Sequence, residues 1–249
     1  MNSKNIFKKA FSLLELIFVI VISSLLGMVM MSFPDNDLAI ARDQLMKDIR
    51  YTQYLALFDD KFLDRNRSGS YQDINRSKFW FKSFWQLKIS RQGSDRNPYY
   101  SIFSDTSSNS RTTNFDRNPN NNKDEPAIDP LTRKYLTGIW KELFSSPSHY
   151  LKKEDVTTRL NLGLEYGIEK IESNTTLGGK WTQSRGIRFM FDSLGRPFYY
   201  YEKEDLGSLH PFNFILKETI QIKLSKDDDK VCFNLEPISG YTYITSCIF

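Results

Sequence analysis

Residues 11–33 form an apolar run that carries one acid, Glu15, and this combination limits the chain more than any other feature. Lys4, Lys8 and Lys9 stand ahead of Phe11 with no acid among them. At about 1.5 Å per residue, such a run would extend roughly 35 Å as one helix, enough to cross a bilayer. The lysines before it would hold that end in the cytoplasm and place the remainder outside. A carboxylate within hydrocarbon costs on the order of 2.5–3.5 kcal/mol, so Glu15 needs a purpose. A cut between Ala10 and Phe11 would supply one. It frees an amine at Phe11, and Glu15 lies four residues on, on the same helix face. The carboxylate would then meet its own amine or that of a neighbouring chain. A secretory signal peptide has a shorter apolar core, and an unprocessed signal anchor has no use for Glu15.

Beyond Pro34 the pattern changes. Leu38, Ala41, Leu45, Ile49, Thr52 and Ala56 recur at helical spacing, so one long helix is expected from Phe11 to Phe58, kinked or curved near Gly27 and Pro34. Its second half is amphipathic and should pack under a sheet. Residues 64–78 read as a loop. Phe79–Ser90, Tyr99–Phe103, Gly186–Asp192, Pro197–Glu202 and Glu218–Leu224 are rich in aromatic and β-branched residues and read as strands. Residues 104–130 are polar, and 131–173 are mixed, with short helices expected. Asp192-Ser193-Leu194-Gly195 makes a tight turn in which Gly195 is free to take positive φ.

The two cysteines, Cys232 and Cys247, flank a segment that reads as two strands around a turn at Pro237–Gly240. A hairpin centred between Ser239 and Gly240 sets them directly opposite, close enough for a disulfide in an oxidising compartment. Two buried thiols are the alternative.

The segment Lys8-Lys9-Ala10-Phe11-Ser12-Leu13-Leu14-Glu15-Leu16-Ile17-Phe18 resembles the class III prepilin signal of type IV pilins and type II secretion pseudopilins. The family usually has Gly where this chain has Ala10. The resemblance implies cleavage between Ala10 and Phe11, N-methylation of Phe11, and filament assembly guided by Glu15. It implies other pilins or pseudopilins, a prepilin peptidase and an inner-membrane assembly platform as partners. Ile187–Phe198, the terminal hairpin and Asp48–Ala56 resemble the GspH/FimT minor pseudopilin group.

Together these readings predict an α+β chain: a long N-terminal helix, membrane-spanning in its first half, packed on a C-terminal antiparallel β-sheet domain as in pilins. Residues 1–10 would be the leader, 11–33 the transmembrane and assembly helix, and 34–60 its amphipathic continuation. Residues 61–249 would be a periplasmic β-rich domain with a polar insertion at about 104–180. The expected location is the bacterial inner membrane, single-pass. The expected role is a minor subunit of a secretion-type filament. A pilus-type subunit acting in adhesion or DNA uptake, or an anchored binding module that never polymerises, are the alternatives.

Catalytic chemistry has little material. His149 and His210 are the two histidines, no Gly-x-Ser-x-Gly elbow occurs, and no enzyme or resident cofactor is expected. Asp116, Asn118, Asn120 and Asp124 place oxygen donors on alternate residues, as calcium loops do. Asn121 and Ala127 stand where such loops have Gly and Glu, and a solvated loop is the competing reading. Taking the three lysines ahead of Phe11 from the 34 basic residues leaves 31 against 30 acids. So balanced a body is not expected to bind nucleic acid, although Arg185, Arg188 and Arg196 could gather around one turn.

Overall fold

A computed structural model describes residues 12–31, 36–59, 83–92, 97–104, 125–143, 151–174, 186–199 and 215–249. The chain divides into two units, 1–36 and 37–249. Among its described residues the first holds the helix α1 (Leu13–Met31). The second opens with α2 (Asp37–Phe58).

Two corrections follow for the expected architecture. The single helix expected from Phe11 to Phe58 is two helices, α1 and α2, because Asn36 between them is non-helical. Among the described residues no helix is long and apolar enough to cross a membrane. The membrane-spanning first half, and with it the single-pass inner-membrane location, is therefore overturned.

Unit 37–249 is α+β, and its described strands form two antiparallel sheets. The first comprises β1 (Trp85–Gln92), β2 (Asn97–Ser104), β4 (Ile187–Phe191) and β5 (Pro197–Tyr199), in the order β2-β1-β4-β5. The second comprises β3 (Lys170–Ser173), β6 (Ile220–Lys226), β7 (Asp229–Leu235) and β8 (Thr242–Thr245), in the order β3-β6-β7-β8. Between β2 and β3 lie short 3-10 turns at Lys141–Leu143, Lys153–Asp155 and Thr158–Leu160. A single-turn helix, α3 (Leu162–Tyr166), follows them.

All six positions of the stripe read from the sequence are buried on α2. Leu45 and Ile49 are fully enclosed and share one hydrophobic cluster with Leu87 and Ile89 of β1, Phe191 of β4, and Ile222 and Phe233 of the second sheet. Each such side chain contributes about 1.5–3 kcal/mol by leaving water. One amphipathic helix thus closes both sheets over a common core.

The β4–β5 turn is built around Asp192. Its Oδ1 accepts from the Leu194 and Arg196 amides (3.1 and 2.9 Å), and its Oδ2 from Arg196 Nε at 2.8 Å. Gly195 takes φ 73, a backbone state that costs residues with a Cβ about 1–2 kcal/mol.

Cys232 and Cys247 form a disulfide, with Cα atoms 5.2 Å apart. The hairpin register differs from the expected one. β7 and β8 pair Cys232 with Thr245, not with Cys247. The turn is centred between Ile238 and Ser239, one residue earlier than read from the sequence, which moves every cross-strand partner by two. Pro237 and Gly240 mark the turn but leave its centre open. Ile238, a residue disfavoured at positive φ, holds φ 64 there and no sequence pattern announces it. Closing a loop of 15 residues stabilises the fold by about 3 kcal/mol in the chain-entropy account.

Candidate functional site

The first seven positions of α1 include Leu13, Leu14, Leu16, Ile17, Phe18 and Val19, all exposed, and Ile20, Val21, Ile22, Leu25 and Leu26 continue the series. Leu13 is 79% exposed, Phe18 59% and Leu25 60%, so no single face of the helix is hidden. An all-round apolar helix differs from the one-sided α2. It is complete only when surrounded.

Three of its polar side chains, Ser12, Glu15 and Ser24, bond within the helix. Ser12 Oγ accepts the Glu15 amide at 3.2 Å, and the Ser12 amide donates to Glu15 Oε2 at 3.0 Å. The Leu16 amide donates to the Ser12 carbonyl at 3.2 Å, the first turn of the helix. This is a capping box, the Ser-x-x-Glu exchange of two orphan donors. Farther along, the Ser24 hydroxyl donates to the Ile20 carbonyl at 2.6 Å and so presents no free donor.

In the body, α2 carries three polar anchors. Asp48 lies among the apolar residues of the stripe and is 2% exposed. Its Oδ2 accepts from the Tyr100 hydroxyl at 2.6 Å and from Gln44 Nε2 at 3.2 Å, and Arg159 Nη1 stands 3.5 Å away. Burial pushes the Asp48 carboxyl above its usual range, although the Tyr100 bond, Arg159 and Lys47 pull it down. Burial likewise drives Tyr100 far above the ordinary phenol range.

Arg50 reaches the β8 edge. Its Nε donates to Thr242 Oγ1 at 2.8 Å, its second nitrogen donates to the Thr242 carbonyl, and the guanidinium lies over the Tyr241 ring. One helical turn on, Gln53 Nε2 donates to the Gly195 carbonyl at 2.7 Å and the Ser239 carbonyl at 2.6 Å. A single amide thereby holds the β4–β5 and β7–β8 turns together. Gly240, at φ 65, is the close approach: a Cβ there would sit 2.8 Å from Gln53 Nε2.

The residues singled out from the sequence fare differently. Ala10 and Phe11 lie outside the described residues. Glu15 is described, and its recorded partner is Ser12 in its own helix. Asp116, Asn118, Asn120 and Asp124 also lie outside the described residues. Among the described residues, no group of His, Cys, Asp or Glu could hold a metal ion. Arg185 is outside the described set, Arg188 is buried, and Arg196 is bound to Asp192 at 2.7 Å. No family model, curated protein or solved structure matches this chain significantly.

Three residues escaped the sequence reading. Ser12 carried a legible signal, because Ser-x-x-Glu ahead of an apolar run is a helix start. Asp48 carried one too: it falls three residues after Leu45 and four before Thr52, on the buried stripe. Gln53 carried none, since its two acceptors are main-chain carbonyls far away in sequence.

Proposed function

We propose that this chain is a minor subunit of a helical filament of the pilin or pseudopilin kind, assembling by packing α1 against the equivalent helices of neighbouring subunits. One observation carries the reading: α1 is apolar and exposed on every side, with a single carboxylate close to its start. A core of sister helices supplies apolar partners all round, which a one-sided docking groove does not. Inside such a core, an unpaired carboxylate is costly. The capping box occupies Oε2 of Glu15, and the remaining oxygen calls for a donor. The amine released at Phe11 by a prepilin peptidase is the group suited to it, from the same chain or from a neighbour.

The reading concerns contacts between subunits and calls for no membrane span. It makes the role of the protein mechanical rather than catalytic. Unit 37–249 then acts as a body carried on α1, presenting its surface to other subunits or to cargo. A secretion-type filament is the first candidate and a pilus-type filament the second.

The test is the mass and first residue of the protein recovered from cells that contain a prepilin peptidase. A chain beginning at N-methyl-Phe11, found in sheared filament fractions and lost from them on Glu15→Leu, supports the proposal. An intact chain beginning at Met1 and absent from those fractions overturns it.

A further inference from the structure

The β7–β8 ladder stops at the Cys232–Thr245 pair, although β7 runs on through Val231 and Lys230 to Asp229. Continued in the same register, β8 would set Ser246 opposite Val231, Cys247 opposite Lys230 and Ile248 opposite Asp229. Cys247 would then be diagonal to Cys232, roughly 7–8 Å away, beyond the reach of a disulfide. The observed bond has its Cα atoms 5.2 Å apart. Bond and longer ladder therefore exclude each other.

Segment 246–249 instead crosses the sheet as a strap. Gln221, on β6, donates from Nε2 to the Ser246 carbonyl at 3.1 Å and accepts the Ile248 amide on Oε1 at 2.8 Å. Lys223 Nζ donates to the Phe249 main-chain oxygen at 3.2 Å and lies 4.5 Å from the centre of its ring. Lys223 also pairs with Glu172 Oε2 at 3.0 Å. The strap passes over β7 to reach these groups, and Cys232 beneath it is buried.

We propose that the Cys232–Cys247 disulfide selects between two forms of this edge: the oxidised strap, and a reduced form in which β8 lengthens through Ile248 along β7. A dithiol reductant attacks the less buried Cys247 sulfur, and Cys232 leaves as thiolate. The second thiol of the reductant resolves the mixed disulfide. Two electrons and two protons pass to the protein as two thiols, and the reductant becomes a cyclic disulfide. The consequence is a change of surface. The four-residue β8 borders the second sheet, and three further residues would turn a blunt edge into one long enough to receive an extended segment. This inference stands independently of the filament reading.

Nuclear magnetic resonance of the full chain, with and without dithiothreitol, tests it. Because the amide of Glu236 bonds the Tyr241 carbonyl, Val231 and Ser246 would form a closely spaced, non-hydrogen-bonded pair. The reduced protein is expected to show a new Hα–Hα contact between Val231 and Ser246, slowed exchange at the Cys247 amide and loss of the Lys223–Phe249 contact. Cys247→Ser without reductant should give the same pattern. Retention of the Lys223–Phe249 contact after reduction overturns the proposal, as does a freed segment without the Val231–Ser246 contact. Loss of protection at Ile222 and Phe233 in both cases also overturns it, because the bond would then hold the fold rather than choose between two forms.

Discussion

Asp48 illustrates how one side chain joins three parts of the body. Its carboxylate sits on α2, the Tyr100 hydroxyl comes from β2, and Arg159 comes from the 3-10 turn at Thr158–Leu160. Burial raises the folded-state pKa of Asp48, with Asp129 adding to the rise. A raised carboxyl binds its proton more tightly in the folded than in the unfolded chain. Its contribution is thus fully present below the unfolded value of about 3.9 and is lost as pH rises through the folded value. Asp48→Asn keeps an oxygen for Tyr100 and does not titrate. The stability of the native protein minus that of this variant should therefore fall between pH 3 and pH 7 in urea unfolding. A difference that grows with pH would mean that Tyr100, Arg159 and Lys47 outweigh burial. Ser12 and Glu15 work at the same scale, exchanging two hydrogen bonds worth about 1 kcal/mol to start α1.

Among the elements, α2 was the most legible and the hairpins the least. The 3.6-residue stripe gave six buried positions of its face, and Met46 and Asp48 are buried beside them. The helix break ahead of Asp37 was missed because hydrophobicity does not mark where helical hydrogen bonding ends. β3 was hidden within a mixed segment: Lys170-Ile-Glu-Ser173 has one buried apolar residue and owes its strand form to pairing with β6. The β7–β8 register slipped by two because turn residues mark a turn without fixing its centre. Gln53 ties the two resulting turns to α2. Gln53→Ala removes a donor from two carbonyls and should lower stability by about 1–3 kcal/mol, read as a lower melting temperature. Gln53→Glu, which brings acceptors alone, should cost at least as much. Unchanged melting in both variants would show that the amide does not hold the turns.

For the whole molecule, the contrast between the two helices is the main result. α2 is apolar on one side and already closes a core, whereas α1 is apolar all round and, among the described residues, contributes to no buried cluster. The sequence made the apolar character of α1 and its single acid plain on composition alone. It did not give the break ahead of α2, and the expected membrane span is overturned because no helix among the described residues is long and apolar enough to cross a membrane. The Ser12 partner of Glu15 was legible as Ser-x-x-Glu, but reading the acid as a charge awaiting an amine passed over the nearest backbone donor. The central claim is that α1 packs against α1 of neighbouring subunits. A photo-crosslinking residue placed at Ile17, in cells that make the protein with its own partners, tests this most directly. The account predicts crosslinks into the apolar helices of other pilin-like subunits, well above those from the same probe at the exposed Lys230. Equal, background-level crosslinking at both positions would contradict it.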